Sequence, residues 1–320
     1  MKTSAWHECL GYAVYYAPRG RRRLLMLGES IAQRYLTATD QLIGIIGEAG
    51  TGKSSIVRGM FPGLELTNDD EGINVRPLPL IRMYHDGKYT SRTFHIDVRF
   101  EMAFTQLYEI ADAIRAALAR KRRIVVEHFD AVYPALNINA QFLLGIGEDI
   151  ILSRPNLFGP FPVDIRQAID NTAVYRKMAH SAEDLTALVL EKEFGVEPPG
   201  SHSDVPRGFV IEFETKPEGL DLALVEQKVK EIIEKAVDIS YLDSSHIRIG
   251  EDAYGCTGPR LHMKNSSEIR NFRLLKELAY DEITGYYCLV GLVAEPKKVP
   301  FVQRHPDQPH PKRVSTTLDL

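Results

Sequence analysis

The sequence predicts an α/β unit built on a mostly parallel sheet, followed by an α+β unit, and three observations carry that prediction. An isoleucine-rich run, "LIGIIG" (42–47), enters a glycine loop and resumes as a helical stretch, "KSSIVRGM". A helix ending in positive charge, "YEIADAIRAALARKR", feeds a second apolar run, "RIVVEHFD", with acidic residues at its exit. After the Pro/Gly-rich interval "SRPNLFGPFP" (153–162), helices are interleaved with alternating strands such as "FVIEFET". Helices feeding short apolar strands build a parallel sheet covered on both faces. Period-two alternation marks a strand buried on one face only.

The elements follow in order. "RRRLLMLGESIAQRYL" repeats Leu24, Leu25, Leu27, Ile31 and Tyr35 at helical spacing, so a helix precedes the first strong strand. "YEIADAIRAALARKR" turns Ile110, Ala113, Ile114 and Ala117 to one face, and its basic end suits the negative pole of a helix. The strand after it leaves Glu127 and Asp130 at its exit. Beyond the Pro/Gly seam, "HSAEDLTALVLEKEFG" and "DLALVEQKVKEIIEKA" read as helices, the second with Leu222, Val225, Val229, Ile232 and Ile233 inward. "FVIEFET", "HIRIG" and "YYCLVGLVA" read as strands. The last stretch, "PKKVPFVQRHPDQPHPKRVSTTLDL", has many prolines and no core periodicity, which predicts a tail or extended arm. The expected divisions are 1–162, 163–295 and 296–320.

Composition narrows the class. A chain of 320 residues can bury more than one core, and 44% hydrophobic with 26% charged residues is ordinary for a soluble globular protein. No apolar run is long enough to cross a bilayer and no export signal is evident, so the expected compartment is cytoplasmic. The three cysteines, Cys9, Cys256 and Cys288, are too scattered for a disulfide framework and are left with metal or packing roles. A net charge of -4 argues against non-specific coating of DNA, although "RGRRR" (19–23) and "RKRR" (120–123) can meet phosphates locally.

The loop after the first strong strand reads "GEAGTGKS" and matches G-x-x-x-x-G-K-[ST], with Gly47, Gly52, Lys53 and Ser54 in register between strand and helix. Glycines let such a backbone curl around phosphates, while the amides of Glu48, Ala49, Gly50, Thr51 and the first helical residues, through Ser55, attract their charge. Lys53 is placed to bridge terminal phosphates and Ser54 to hold Mg²⁺, which predicts a nucleoside triphosphate, ATP or GTP, as ligand. A second acidic group belongs at the end of a neighbouring strand. Glu127 is the first candidate, to orient Mg²⁺ or water or to serve as a cap or ion-pair partner, with Asp97 of "FHIDVRF" and Asp130 behind it. Asp69 and Asp70 of "TNDDEG" either reach the nucleotide edge or decorate a solvated turn.

A second group lies beyond the seam. His180 and Asp184 are four residues apart, on one helical face, and Cys256 and His262 are six apart across a Gly-Pro turn. Nitrogen, oxygen and sulfur donors in that number suit tetrahedral Zn²⁺. The same residues also fit as a helix decoration, a small buried hydrophobe and a core histidine.

On these residues two resemblances rest. The loop together with "RRIVVEHFDAVYPAL" (122–136) resembles the uridine kinase-like branch of P-loop kinases over roughly residues 40–165. That resemblance implies a P-loop NTPase fold, ATP with Mg²⁺ and a small nucleoside-like acceptor, with Glu127 at the acidic position and catalytic work for Lys53, Glu127 and Asp97. His128 stands where a glycine is more typical. "HSAEDLTALVLEKEFG", "RGFVIEFE" and "CTGPRLHMKNSSEI" occur in the order found in the second additional domain of threonyl- and alanyl-tRNA synthetases, over roughly residues 165–295. This resemblance implies a metal-binding, editing-like unit and tRNA as a partner, with His180 at the family's first histidine, Asp184 at its second, and Cys256 and His262 at its later cysteine and histidine. An ungapped alignment from Cys256 puts Arg260 at the last ligand position instead.

Overall fold

Six successive buried residues in "LIGIIG" require a central strand, because only there are both faces of a strand covered. The computed structural model describes residues 11–66, 79–197, 202–243, 245–256 and 261–295. In the first unit the elements run β1 (Tyr12–Tyr16), α1 (Arg21–Tyr35), β2 (Leu42–Gly47), α2 (Lys53–Met60), α3 (Pro79–Asp86), β3 (Thr93–Asp97), α4 (Val98–Glu101), α5 (Leu107–Ala119), β4 (Arg123–Glu127), α6 (Phe129–Leu136), β5 (Phe142–Ile146) and β6 (Asp149–Ser153). They form a mixed α/β fold whose six-stranded sheet has the order β1-β6-β5-β2-β4-β3. β2 lies between β4 and β5, parallel to both, and β3 is parallel to β4. β6 and β1 close the far side antiparallel. One apolar cluster covers the face under α5 and α6, and another packs α1 and α2 on the opposite face.

α1 and α2 approach closely enough to demand glycine. A Cβ on Gly59 would lie 2.0 Å from the Leu25 carbonyl oxygen, and one on Gly28 would lie 2.4 Å from that of Ile56. Backbone cannot yield as a side chain can, so Gly59→Ala is expected to destabilise the fold by about 2–3 kcal/mol. Urea unfolding monitored by circular dichroism reads this as a lower midpoint at unchanged slope.

The second unit opens with α7 (Pro162–Phe194), followed by β7 (His202–Val205), β8 (Gly208–Phe213), α8 (Leu222–Glu234), β9 (Ile239–Tyr241), β10 (His246–Ile249), β11 (Asp252–Gly255), a 3₁₀ turn (Ser266–Glu268), β12 (Arg273–Leu274), β13 (Ala279–Tyr280) and β14 (Tyr287–Leu292). β14 pairs antiparallel with β8 and also with β12 and β13, and β8 carries β7 on its other edge. β9, β10 and β11 make a separate antiparallel sheet.

α7 begins inside the expected seam and runs far beyond the predicted "HSAEDLTALVLEKEFG". Pro162 stands at its first position, where a missing amide hydrogen costs nothing, and Gly195 ends it at φ 63°. Ile165 and Ile169 pack in the first unit's core, whereas Met178 to Leu190 supply apolar contacts to the second. The expected division after residue 162 therefore coincides with the start of a helix that both cores use. Asp69, Asp70, Arg260 and the 296–320 tail lie outside the described residues.

Candidate functional site

Two constellations stand at opposite ends of a short stretch of α7. The first surrounds the loop between β2 and α2. Gly52 caps α2 at φ 90°, a left-handed backbone that disfavours any side chain, and α2 starts at Lys53 and Ser54. Lys53 Nζ donates to the Glu48 carbonyl oxygen at 2.8 Å and lies 3.8 Å from Glu127 Oε2. Ser54 Oγ donates to Glu127 Oε1 at 3.0 Å. The parallel register of β2 and β4 places Glu127 opposite Ile45, so its carboxylate emerges beside the loop.

Glu127 is 2% exposed, and burial alone would raise its pKa. The hydrogen bond from His95, the Lys53 charge and the Ser54 hydroxyl overcome that and hold it near 2, so the group is an ionised acceptor throughout the neutral range. His95 Nε2 donates to Glu127 Oε1 at 3.1 Å. Sequence reasoning singled out Asp97 from "FHIDVRF" and passed over His95, yet both project to one face of β3, and it is His95 that reaches across to β4. Asp97 is buried at the end of β3 and accepts from the Phe100 amide at 3.1 Å, capping α4. Asp130 sits in the first turn of α6, with Arg166 Nη1 at 3.6 Å. His128 lies in the left-handed region at φ 55°, and burial, with Lys53 and Arg99 nearby, lowers its pKa to about 3.

The second constellation is a cluster able to hold a metal ion. One donor atom each from His180, Asp184, Cys256 and His262 falls within 4.8 Å of all the others. Cys256 Sγ lies 3.4 Å from His180 Nε2 and 3.7 Å from His262 Nε2. Asp184 Oδ2 lies 2.7 Å from His262 Nε2 and 3.9 Å from His180 Nε2. Tetrahedral Zn²⁺ with bonds of about 2.0–2.3 Å has donor-to-donor edges of about 3.3–3.8 Å, so the residues fit the ion with small adjustments.

The local sequence explains the convergence. His180 and Asp184 share a face of α7. Met263 N donates to Ser181 Oγ at 2.9 Å, which fastens the segment bearing His262 to the same helix. Immediately after it, "KNSSE" (264–268) locks the chain into a turn. Asn265 Oδ1 accepts from the Ser267 amide at 3.0 Å, and Glu268 Oε1 accepts from the amides of Lys264 and Asn265, both at 3.0 Å. Ser266 Oγ accepts from Val237 N and donates to Ile232 O, tying the turn to the end of α8.

Burial holds the His180 imidazole neutral, well below its ordinary pKa, with His262, Arg19 and Arg176 adding to the effect. Neutral imidazole is the ligating form. Tyr241 Oη stands 3.3 Å from His262 Nδ1, an outer partner that steers Nε2 toward the other donors. Tyr241 carried no motif signal, because the contact depends on β9 folding beside the turn.

No protein-family model matches the chain, and no curated protein matches it. Among solved structures, the ornithine aminotransferase from Toxoplasma gondii ME49 is 11% identical over 78% of this chain and 68% of that one, with a TM-score of 0.24. A likeness of that order carries no argument about fold or chemistry. Among the described residues no helix is long and apolar enough to cross a membrane. The four-residue cluster able to hold a metal ion thus stands on its own geometry.

Proposed function

We propose that the first unit binds a nucleoside triphosphate with Mg²⁺ at Gly47–Ser54 and transfers or hydrolyses its terminal phosphate. One observation carries the reading: the first two residues of α2, Lys53 and Ser54, meet the ionised Glu127 carboxylate from the neighbouring parallel strand. A helix N-terminus at the carboxyl ends of parallel strands attracts phosphate, and a lysine there serves its terminal oxygens. The Ser54 hydroxyl and Glu127 carboxylate are oxygen donors of the kind Mg²⁺ prefers. When bound, Mg²⁺ neutralises charge on the phosphates. Lys53 leaves the Glu48 carbonyl for a phosphate oxygen, and Glu127, fixed by His95, orients the hydroxyl or water beside it.

Transfer to a small nucleoside-like hydroxyl is the favoured subclass. Labelled ATP and GTP incubated with a nucleoside panel and Mg²⁺ are expected to give acceptor-dependent phosphorylated product. Absence of both product and phosphate release, with no triphosphate binding, overturns the reading.

For the second unit the donor set favours Zn²⁺. Four protein donors fill a tetrahedral shell, which suits an ion that ties the Cys256–His262 turn to α7. Hydrolysis of an aminoacyl ester there requires one donor to withdraw and open a position for water. Metal-dependent deacylation of charged tRNA that survives loss of Lys53 is the result that would replace the structural assignment.

A further inference from the structure

We propose that Arg176 is a positioning residue for the nucleotide phosphates: reaching from α7, it grips the phosphate loop by the Thr51 carbonyl and sets behind that loop a buried positive charge which a bound triphosphate neutralises. The inference rests on the nucleotide reading of residues 47–54.

Arg176 is 2% exposed, and its guanidinium has an unusual set of partners. Nη1 donates to Thr51 O at 3.0 Å and Nη2 to Pro18 O at 2.6 Å, while buried Nε has no hydrogen-bond partner. Thr51 lies two positions before Lys53, and its own hydroxyl donates to Glu48 O at 2.9 Å. Lys177, the next residue of α7, pairs with the Glu48 carboxylate at 2.5 Å. Two successive cations of α7 therefore hold the loop at Glu48 and Thr51. In a trans peptide the C=O and N–H point to opposite sides, so the Thr51 carbonyl held by Arg176 turns the Gly52 amide away from the guanidinium.

The charge balance supplies the second argument. Arg19 is paired with Glu183 at 2.8 Å and with Asp204 at 2.9 Å, and Arg23 also reaches Asp204. No carboxylate of the described residues comes within ion-pair distance of Arg176. Arg19 and Arg23 thus meet carboxylates, whereas the hydrogen-bond partners of the Arg176 guanidinium are the carbonyl oxygens of Thr51 and Pro18. Burial, followed by repulsion from Arg19, lowers the Arg176 pKa to about 9, still protonated at neutral pH. Such a charge is costly in the free protein and becomes favourable when an anion arrives. An apolar side chain there would relieve the buried charge but leave the Thr51 and Pro18 carbonyls without this donor.

The test measures ATP, ADP and AMP affinity with Mg²⁺ by calorimetry on the full chain and its Arg176→Met and Arg176→Gln variants. Melting temperature without nucleotide and bound metal are measured alongside. Arg176→Met is expected to weaken ATP about thirtyfold, and AMP far less, because more phosphate charge feels the loss. Arg176→Gln keeps a donor for one carbonyl and should fall between. Melting temperature should stay close to that of the unaltered protein, since loss of two carbonyl hydrogen bonds offsets removal of a buried charge, and metal content at His180 and Asp184, one and two turns along, should be unchanged. ATP affinity within twofold of the original in both variants overturns the proposal. So does loss of folding or of metal in both variants, which makes Arg176 a structural brace. Failure of the unaltered protein to bind any triphosphate removes the nucleotide reading itself, a result distinct from equal binding by all three.

Discussion

Lys53→Ala is expected to lower triphosphate affinity and turnover by about a hundredfold or more while the protein stays folded. The lysine is 3% exposed, and its ammonium lies between the Glu48 carbonyl and the Glu127 carboxylate, both able to release it to a phosphate. Folding survives because Glu127 keeps its hydrogen bonds from His95 and Ser54. Calorimetric titration with MgATP, backed by circular dichroism, decides the matter. Equal affinity in the two proteins would remove Lys53 from the site. If binding persists and only turnover falls, the lysine acts on the terminal phosphate during transfer and not on anchoring.

Cys256→Ser is expected to reduce bound transition metal from about one equivalent to under about a tenth, since thiolate and imidazole provide most of the preference for Zn²⁺. Elemental analysis of protein purified without added metal reads the change. Under the structural assignment, a chelator should lower the melting temperature of the unaltered protein and leave that of Cys256→Ser nearly unmoved. Less than a tenth of an equivalent in the unaltered protein makes the cluster a hydrogen-bonded remnant, a state in which His262 and Asp184 are already within 2.7 Å.

The sequence exposed these two centres unequally well, for physical reasons. The strand, loop and helix around Lys53 are contiguous, so periodicity and glycine placement display them directly, and β2 and α2 fall on the expected residues. His180 and Asp184 were legible as a helical pair, and Cys256 and His262 as a pair flanking a turn, but their meeting depends on a chain reversal of 78 residues from Asp184 to His262. Donor chemistry allowed the four to form one site, and spacing alone did not require it. The first half of α7 was hidden because its apolar residues serve two different cores and trace no single stripe. Arg176 and Lys177 had no motif around them. Their contacts with Glu48 and Thr51 span more than a hundred positions, and an arginine on a helix ordinarily marks a solvated face. His95 was readable in principle, since alternation along "FHID" puts it on the same side as Asp97.

α7 is a single rod about 50 Å long at 1.5 Å per residue, without a break between its two sets of packed residues. Melting the first sheet strips Ile165 and Ile169 of their neighbours, and melting the second strips Met178 to Leu190 of theirs. Helix formation is itself cooperative, so disorder entering at one end weakens the other. The two units are accordingly expected to unfold together, read as a single calorimetric transition, and a cut at residue 162 is expected to leave one sheet uncapped and the other with a dangling, partly apolar helix. What looks like a seam in the amino-acid pattern is mechanically a spine.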